Sequence, residues 1–173
     1  MCVMMIKLHI RRWIILFKIG DKIVYPMHGA GSVEAIEDKE IQGVNKQYYI
    51  IKLSINNLQI MIPVGNETKL GIRPVSDTVT LKAIMSDFSN GETDLLLPCK
   101  QRLKINGDKI KTGKIEDSAE VVRDLMRINK EKPLNSNEKQ MLNNAKAILL
   151  SELVLIKGIT ENQLNSFSEV SYG

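Results

Sequence analysis

Apolar residues recur along the chain at two different periods. From Phe17 to about residue 75 they alternate with polar positions in short runs bounded by glycine and proline, the period-two pattern of half-buried strands. Phe17 to Gly20, Lys22 to Tyr25, Ser32 to Ile36, Gln47 to Leu53 and Leu58 to Ile62 are the predicted strands. In the last of these, Leu58, Ile60 and Ile62 share one face, which puts Met61 on the other. Five short strands joined by polar or glycine-containing connections predict a small, strongly bent barrel of SH3 or Tudor type. Gly29-Ala30-Gly31 lacks the helix and the Lys-Ser/Thr of a phosphate-binding loop and reads as a hairpin needing small residues.

After residue 75 the period changes. Leu81, Ile84, Met85 and Phe88 predict a connector helix over 80–88, and Asn90-Gly91 and Pro98 mark a loop that separates two domains. Leu103 and Ile110 then lie on one side of a helix that ends at Thr112-Gly113; Ala119, Val122, Leu125 and Met126 stripe a second. A third helix opens with the capping box Asn135-Ser136-Asn137-Glu138, carries Leu142, Ala145, Leu149, Leu153 and Ile156, and is expected to end at Gly158. Thr160 to Gln163 cap a short last helix with Leu164 and Phe167. The fold class expected is α+β in two domains, an N-terminal barrel (17–75) and a C-terminal helical bundle (99–173), joined by the segment 76–98.

Charge divides the chain in the same way. The 173 residues carry a formal charge of +4, with a pI near 9.0. Residues 17–88 contain equal numbers of cations and anions, whereas Cys99 to Lys114 hold Lys100, Arg102, Lys104, Lys109, Lys111 and Lys114 against the single anion Asp108. A basic run of this density is the footprint of a phosphate-binding surface. Lys100, Lys104 and Lys111 project within about 40° of one another on a helix, so they form one face.

Other chemistries find little support. Cys2, Cys99, His9 and His28 are too far apart for the Cys/His spacings of zinc sites, no paired carboxylates or nucleophile–base pairs stand out, and no apolar stretch is long enough to span a bilayer. No metal, cofactor or enzymatic activity is expected, and a reducing, cytoplasmic setting fits the cysteine usage. Residues 1–16 mix apolar residues with Lys7, His9, Arg11 and Arg12 in an order unlike a signal peptide, and are expected to be a non-native or mis-assigned extension.

Two blocks of sequence carry a family resemblance. FKIGDKIVYPMHGAGSVEAIE (17–37), with YYIIKL (48–53) and IMIP (60–63), resembles the RNA-polymerase-interacting domain of the CarD/CdnL family of bacterial transcription regulators, related to that of transcription-repair coupling factor. KTGKIEDSAEVVRDLM (111–126), with EKQML (138–142) and AKAILLSEL (145–153), resembles the helical DNA-binding domain of the same family. The resemblance implies a monomer whose barrel docks on the polymerase β subunit through Lys39, Met61 and Pro63. Its helical domain, through Cys99, Lys100, Arg102, Lys104, Lys111 and Lys139, would touch promoter DNA at the upstream edge of the transcription bubble and modulate open-complex formation. The lysine face agrees with contacts that ignore base sequence. Lys39 is expected in a turn, Glu37-Asp38-Lys39-Glu40. Two positions depart from the family pattern: Met61 stands where a basic residue is usual, and Cys99 aligns with a tryptophan that acts as an apolar wedge against the minor groove. The only tryptophan is Trp13. Two other readings are a nucleoid-type architectural DNA binder and an SH3-like RNA-binding protein; the balanced charge of the barrel argues against both.

Overall fold

The computed structural model describes residues 17–168, so residues 1–16 with Trp13, and the expectation attached to them, lie outside it. Five strands, β1 (Lys22–Tyr25), β2 (Gly29–Ile41), β3 (Val44–Leu53), β4 (Gln59–Pro63) and β5 (Arg73–Pro74), precede five helices, α1 (Thr78–Asn90), α2 (Cys99–Thr112), α3 (Ile115–Glu131), α4 (Ser136–Leu153) and α5 (Glu161–Ser168). The α+β class expected from the hydrophobic periods is the one observed.

The strands form one antiparallel sheet in the order β4-β3-β2-β1-β5, with β4 and β5 at its edges among the described residues. One face of it packs a core of Phe17, Ile23, Val33, Tyr49, Ile51, Leu53, Ile62 and Ile72. Phe17 to Gly20 is not a strand. The Phe17 ring instead plugs the core edge-on to Tyr49, with centroids 6.0 Å apart, and its amide donates to the Tyr49 hydroxyl at 3.2 Å. Burial pushes the Tyr49 hydroxyl pKa up; the Phe17 N–H opposes that shift and the neighbouring Glu67 carboxylate adds to it.

The sequence Glu37 to Glu40 is not a turn either. It continues β2, and the chain reverses at Gln42-Gly43, where both residues have positive φ (54° and 74°) between the paired Ile41 and Val44. A two-residue loop with two positive φ values matches the twist of the strands it joins. Charge at 37–40 suggested a turn, but a solvent-facing strand accommodates it equally well.

The helices enclose a second core, to which α1 contributes Leu81 and Ile84 alongside Val122, Leu125, Leu149, Leu153 and Phe167. The α2–α3 break falls at Gly113, whose φ of 71° is the left-handed conformation of a helix C-cap. The capping box at Asn135/Glu138 opens α4 as its sequence requires. α4 ends at Leu153 rather than Gly158: a tight turn follows, and Ile156 reaches the core from that turn rather than from a continuing helix.

Two arginines of α3 fix the long α1–α2 loop. Arg123, with 4% of its side chain exposed, binds Asp87 at 2.6 Å, Asp124 at 2.9 Å and the Glu92 carbonyl at 2.7 Å. Arg127 donates to the carbonyls of Phe88, Ser89 and Gly91 at the end of α1. These bonds tie the end of α1 and the start of the loop to α3.

Candidate protein and nucleic-acid interfaces

Residues directly opposite in an antiparallel sheet point to the same side. The registers Lys39↔Lys46, Glu37↔Tyr48↔Pro63 and Ile50↔Met61 therefore put Lys39, Lys46, Tyr48, Pro63, Ile50 and Met61 on the face opposite the sheet's core, where Lys39, Lys46 and Met61 are exposed and Tyr48 and Ile50 are buried. Met61 is 46% exposed, whereas Ile62 beside it is buried, as the alternation predicts. Pro63 ends edge strand β4. Lys39 lies two strands away and two residues further along, about 12 Å in the plane of the sheet from strand spacings. Its ammonium pairs with Glu37 at 2.7 Å, an exposed ion pair of little energetic weight. Lys46, not singled out in the sequence, stands across from Lys39; only the hairpin register reveals it.

On the helical side, Lys100, Lys104, Lys111 and Lys139 are exposed. Among the described residues Lys100, Lys104 and Lys139 have no carboxylate within ion-pair reach, while Lys111 pairs with Asp108 at 3.0 Å, one turn away on the same helix. Arg102 differs. Its guanidinium turns inward, binding Glu138 through Nη2 at 2.5 Å and Nε at 3.0 Å and donating to the Leu97 carbonyl. The expected DNA contact at Arg102 is thus occupied by a buried ion pair that joins the first turn of α2 to the first turn of α4.

Glu138 also accepts from the Asn135 amide at 3.3 Å, completing the capping box. Burial would raise its pKa, but hydrogen bonds from Arg102 and Asn135, the Arg102 charge and the Cys99 thiol outweigh that and hold it below the usual carboxylate range. Cys99 is the first residue of α2, partly exposed, and its Sγ accepts from Asn135 Nδ2 at 2.9 Å. The Arg102–Glu138 and Asn135–Cys99 contacts thereby pin the N-termini of α2 and α4, each the positive end of a helix dipole, side by side, and Lys100, Lys104 and Lys139 are exposed on these two helices. Lys109, by contrast, pairs with Glu120 on α3 at 3.0 Å and serves the fold.

A five-stranded antiparallel sheet with Lys39 and Met61 exposed is thus joined to a helical bundle that presents a row of exposed lysines. Residues 17–76 match the family model for the CarD-like/TRCF RID domain and residues 83–169 match that for the CarD C-terminal domain. Together they span most of the chain, and the protein belongs to the CarD-like family of transcription regulators. The chain is 60% identical over 152 residues to "Putative transcription factor YdeB" of Bacillus subtilis (strain 168), covering 88% of this chain and 99% of that one. It is also similar, at 29% identity and a TM-score of 0.30, to the solution structure of the 72-residue N-terminal domain of Myxococcus xanthus CarD, over 34% of this chain and 77% of that domain. Among the described residues no helix is long and apolar enough to cross a membrane.

Proposed function

We propose that the outer sheet face around Lys39, Met61 and Pro63 docks on the β subunit of RNA polymerase, and that Lys100, Lys104 and Lys139, with a smaller share from Lys111, hold promoter DNA near the upstream edge of the transcription bubble. The protein then alters the kinetics of open-complex formation without reading base sequence. The observation that carries this reading is the sorting of cations on the helical domain. Arg102, Lys109 and Arg123 are bound by carboxylates within the fold, whereas the exposed lysines near the α2 and α4 N-termini are left for an external anion. On the sheet, β4 has no further strand beside it among the described residues and carries an exposed methionine, which suits strand addition by a partner.

Retention of the full-length protein on immobilised polymerase tests the first half. Lys39→Glu is expected to weaken retention about ten-fold, a loss near 1.4 kcal/mol, while leaving affinity for duplex DNA alone unchanged. Loss of DNA affinity with intact polymerase retention would reverse the assignment of the two surfaces.

A further inference from the structure

α2, which carries most of the lysine face, is clamped at both ends by arginine–glutamate pairs, and both glutamates belong to α4. Arg102 and Glu138 hold the first turn. The far end is held from the barrel. Arg73 of β5 gives Nε and Nη2 to the Gly113 carbonyl at 2.9 and 2.7 Å, where α2 stops, and forks onto Glu152 with both oxygens at 2.7 Å. Glu152 is buried and also accepts from the Ser76 amide at 3.0 Å and hydroxyl at 2.8 Å, so its carboxylate receives four hydrogen bonds, all from the segment at 73–76.

The neighbouring contacts allow no slack. The Ser151 hydroxyl accepts from the Ala30 amide at 2.9 Å and donates to the Ile148 carbonyl at 2.6 Å. A Cβ on Gly29 would come within 2.7 Å of that hydroxyl, and one on Gly113 within 2.6 Å of the Pro26 ring. The backbone at Gly29 and at Gly113 therefore lies directly against a side chain of the other layer, Ser151 and Pro26 respectively, with no room for a Cβ.

A buried ion pair is a poor way to gain stability, because desolvation of the two charges offsets most of their attraction. Its directional strength lies in geometry: four bonds to one carboxylate fix both distance and rotation. We infer that Glu152 is a positioning residue that, through Arg73 and Gly113, sets the lysine face of α2 at one fixed orientation to the sheet edge on β4. This rests on the functional reading above. With the protein docked through its barrel, the DNA contact becomes intramolecular, and its strength depends on the effective concentration at which the lysines are presented. A fixed orientation raises that concentration; a hinge lowers it, although neither binding surface has changed.

The test is the full-length double variant Arg73→Met, Glu152→Leu, in which apolar side chains of similar volume replace the pair so that no buried charge is orphaned. Spin labels at Lys69→Cys and Lys130→Cys, in a Cys2→Ser, Cys99→Ser background, report the distance between sheet and bundle. One narrow distribution is expected in the parent and a markedly broader one in the double variant. In proteins with native cysteines, the shift in open-complex lifetime should fall about ten-fold, with affinity for polymerase alone and for bulk duplex alone each within about two-fold of the parent. A distribution that stays narrow, or a lifetime shift that survives broadening, overturns the inference. A parent protein that leaves open-complex lifetime unchanged would refute the functional reading instead, while the distance measurement still judges the latch.

Discussion

Arg102 and Lys104 lie two residues apart on one basic helix, yet the structure gives them different work, and the salt dependence of DNA binding separates them. Each lysine that neutralises a phosphate contributes about 0.9 to the slope of log affinity against log salt on B-form DNA. The triple variant Lys100→Ala, Lys104→Ala, Lys139→Ala should flatten that slope by about 2.7. Between 50 and 200 mM salt the parent then loses about 40-fold more affinity than the variant does, the four-fold rise in salt raised to that power. Arg102→Met is expected to leave the slope alone, because its charge is already engaged by Glu138. It should lower stability instead, by about 3 kcal/mol, since Glu138 stays buried with its main partner gone. The assay is fluorescence anisotropy with a labelled duplex across a salt series, paired with urea unfolding of each variant. A slope that falls by about one with Arg102→Met, or that holds in the triple variant, would refute the division between bound and available cations.

Two further outcomes follow from the same interface. Glu138 has its pKa lowered in the folded state, so its contribution to stability is present above the unfolded value of about 4.3 and is lost as pH falls below it toward the folded pKa. Glu138→Gln should therefore flatten the acid limb of a stability–pH curve and leave its shape above pH 6 unchanged; an equally steep acid limb would count against the pair. Cys99→Trp places an indole at the first position of α2, beside the lysines, where stacking on a distorted base step is worth on the order of 1 to 3 kcal/mol. Open complexes challenged with competitor should then decay about ten-fold more slowly, with polymerase affinity unchanged; decay at the parental rate would mean that residue 99 does not reach the DNA.

What the sequence alone determined is local. Period-two and helical stripes define the fold class, Asn135 to Glu138 announce the start of α4 through hydrogen bonds within one turn, and the Lys100, Lys104 and Lys111 face follows from helical geometry. Met61 was readable as outward-facing for the same reason. The tertiary structure decided what depends on partners far along the chain. Whether an arginine is a surface cation or a buried tie turns on a carboxylate 36 residues away for Arg102 and 79 away for Arg73, and no local pattern encodes such a meeting. Glu152 did leave a trace, as a lone charge in the apolar run from Ile148 to Ile156, where an ionised group is tolerated only with a partner. The trace says that a partner exists, not which one. Lys46 joined the face proposed for docking only once the reversal at Gln42-Gly43 set the hairpin register, because a shift of one residue in pairing exchanges the two faces of a strand.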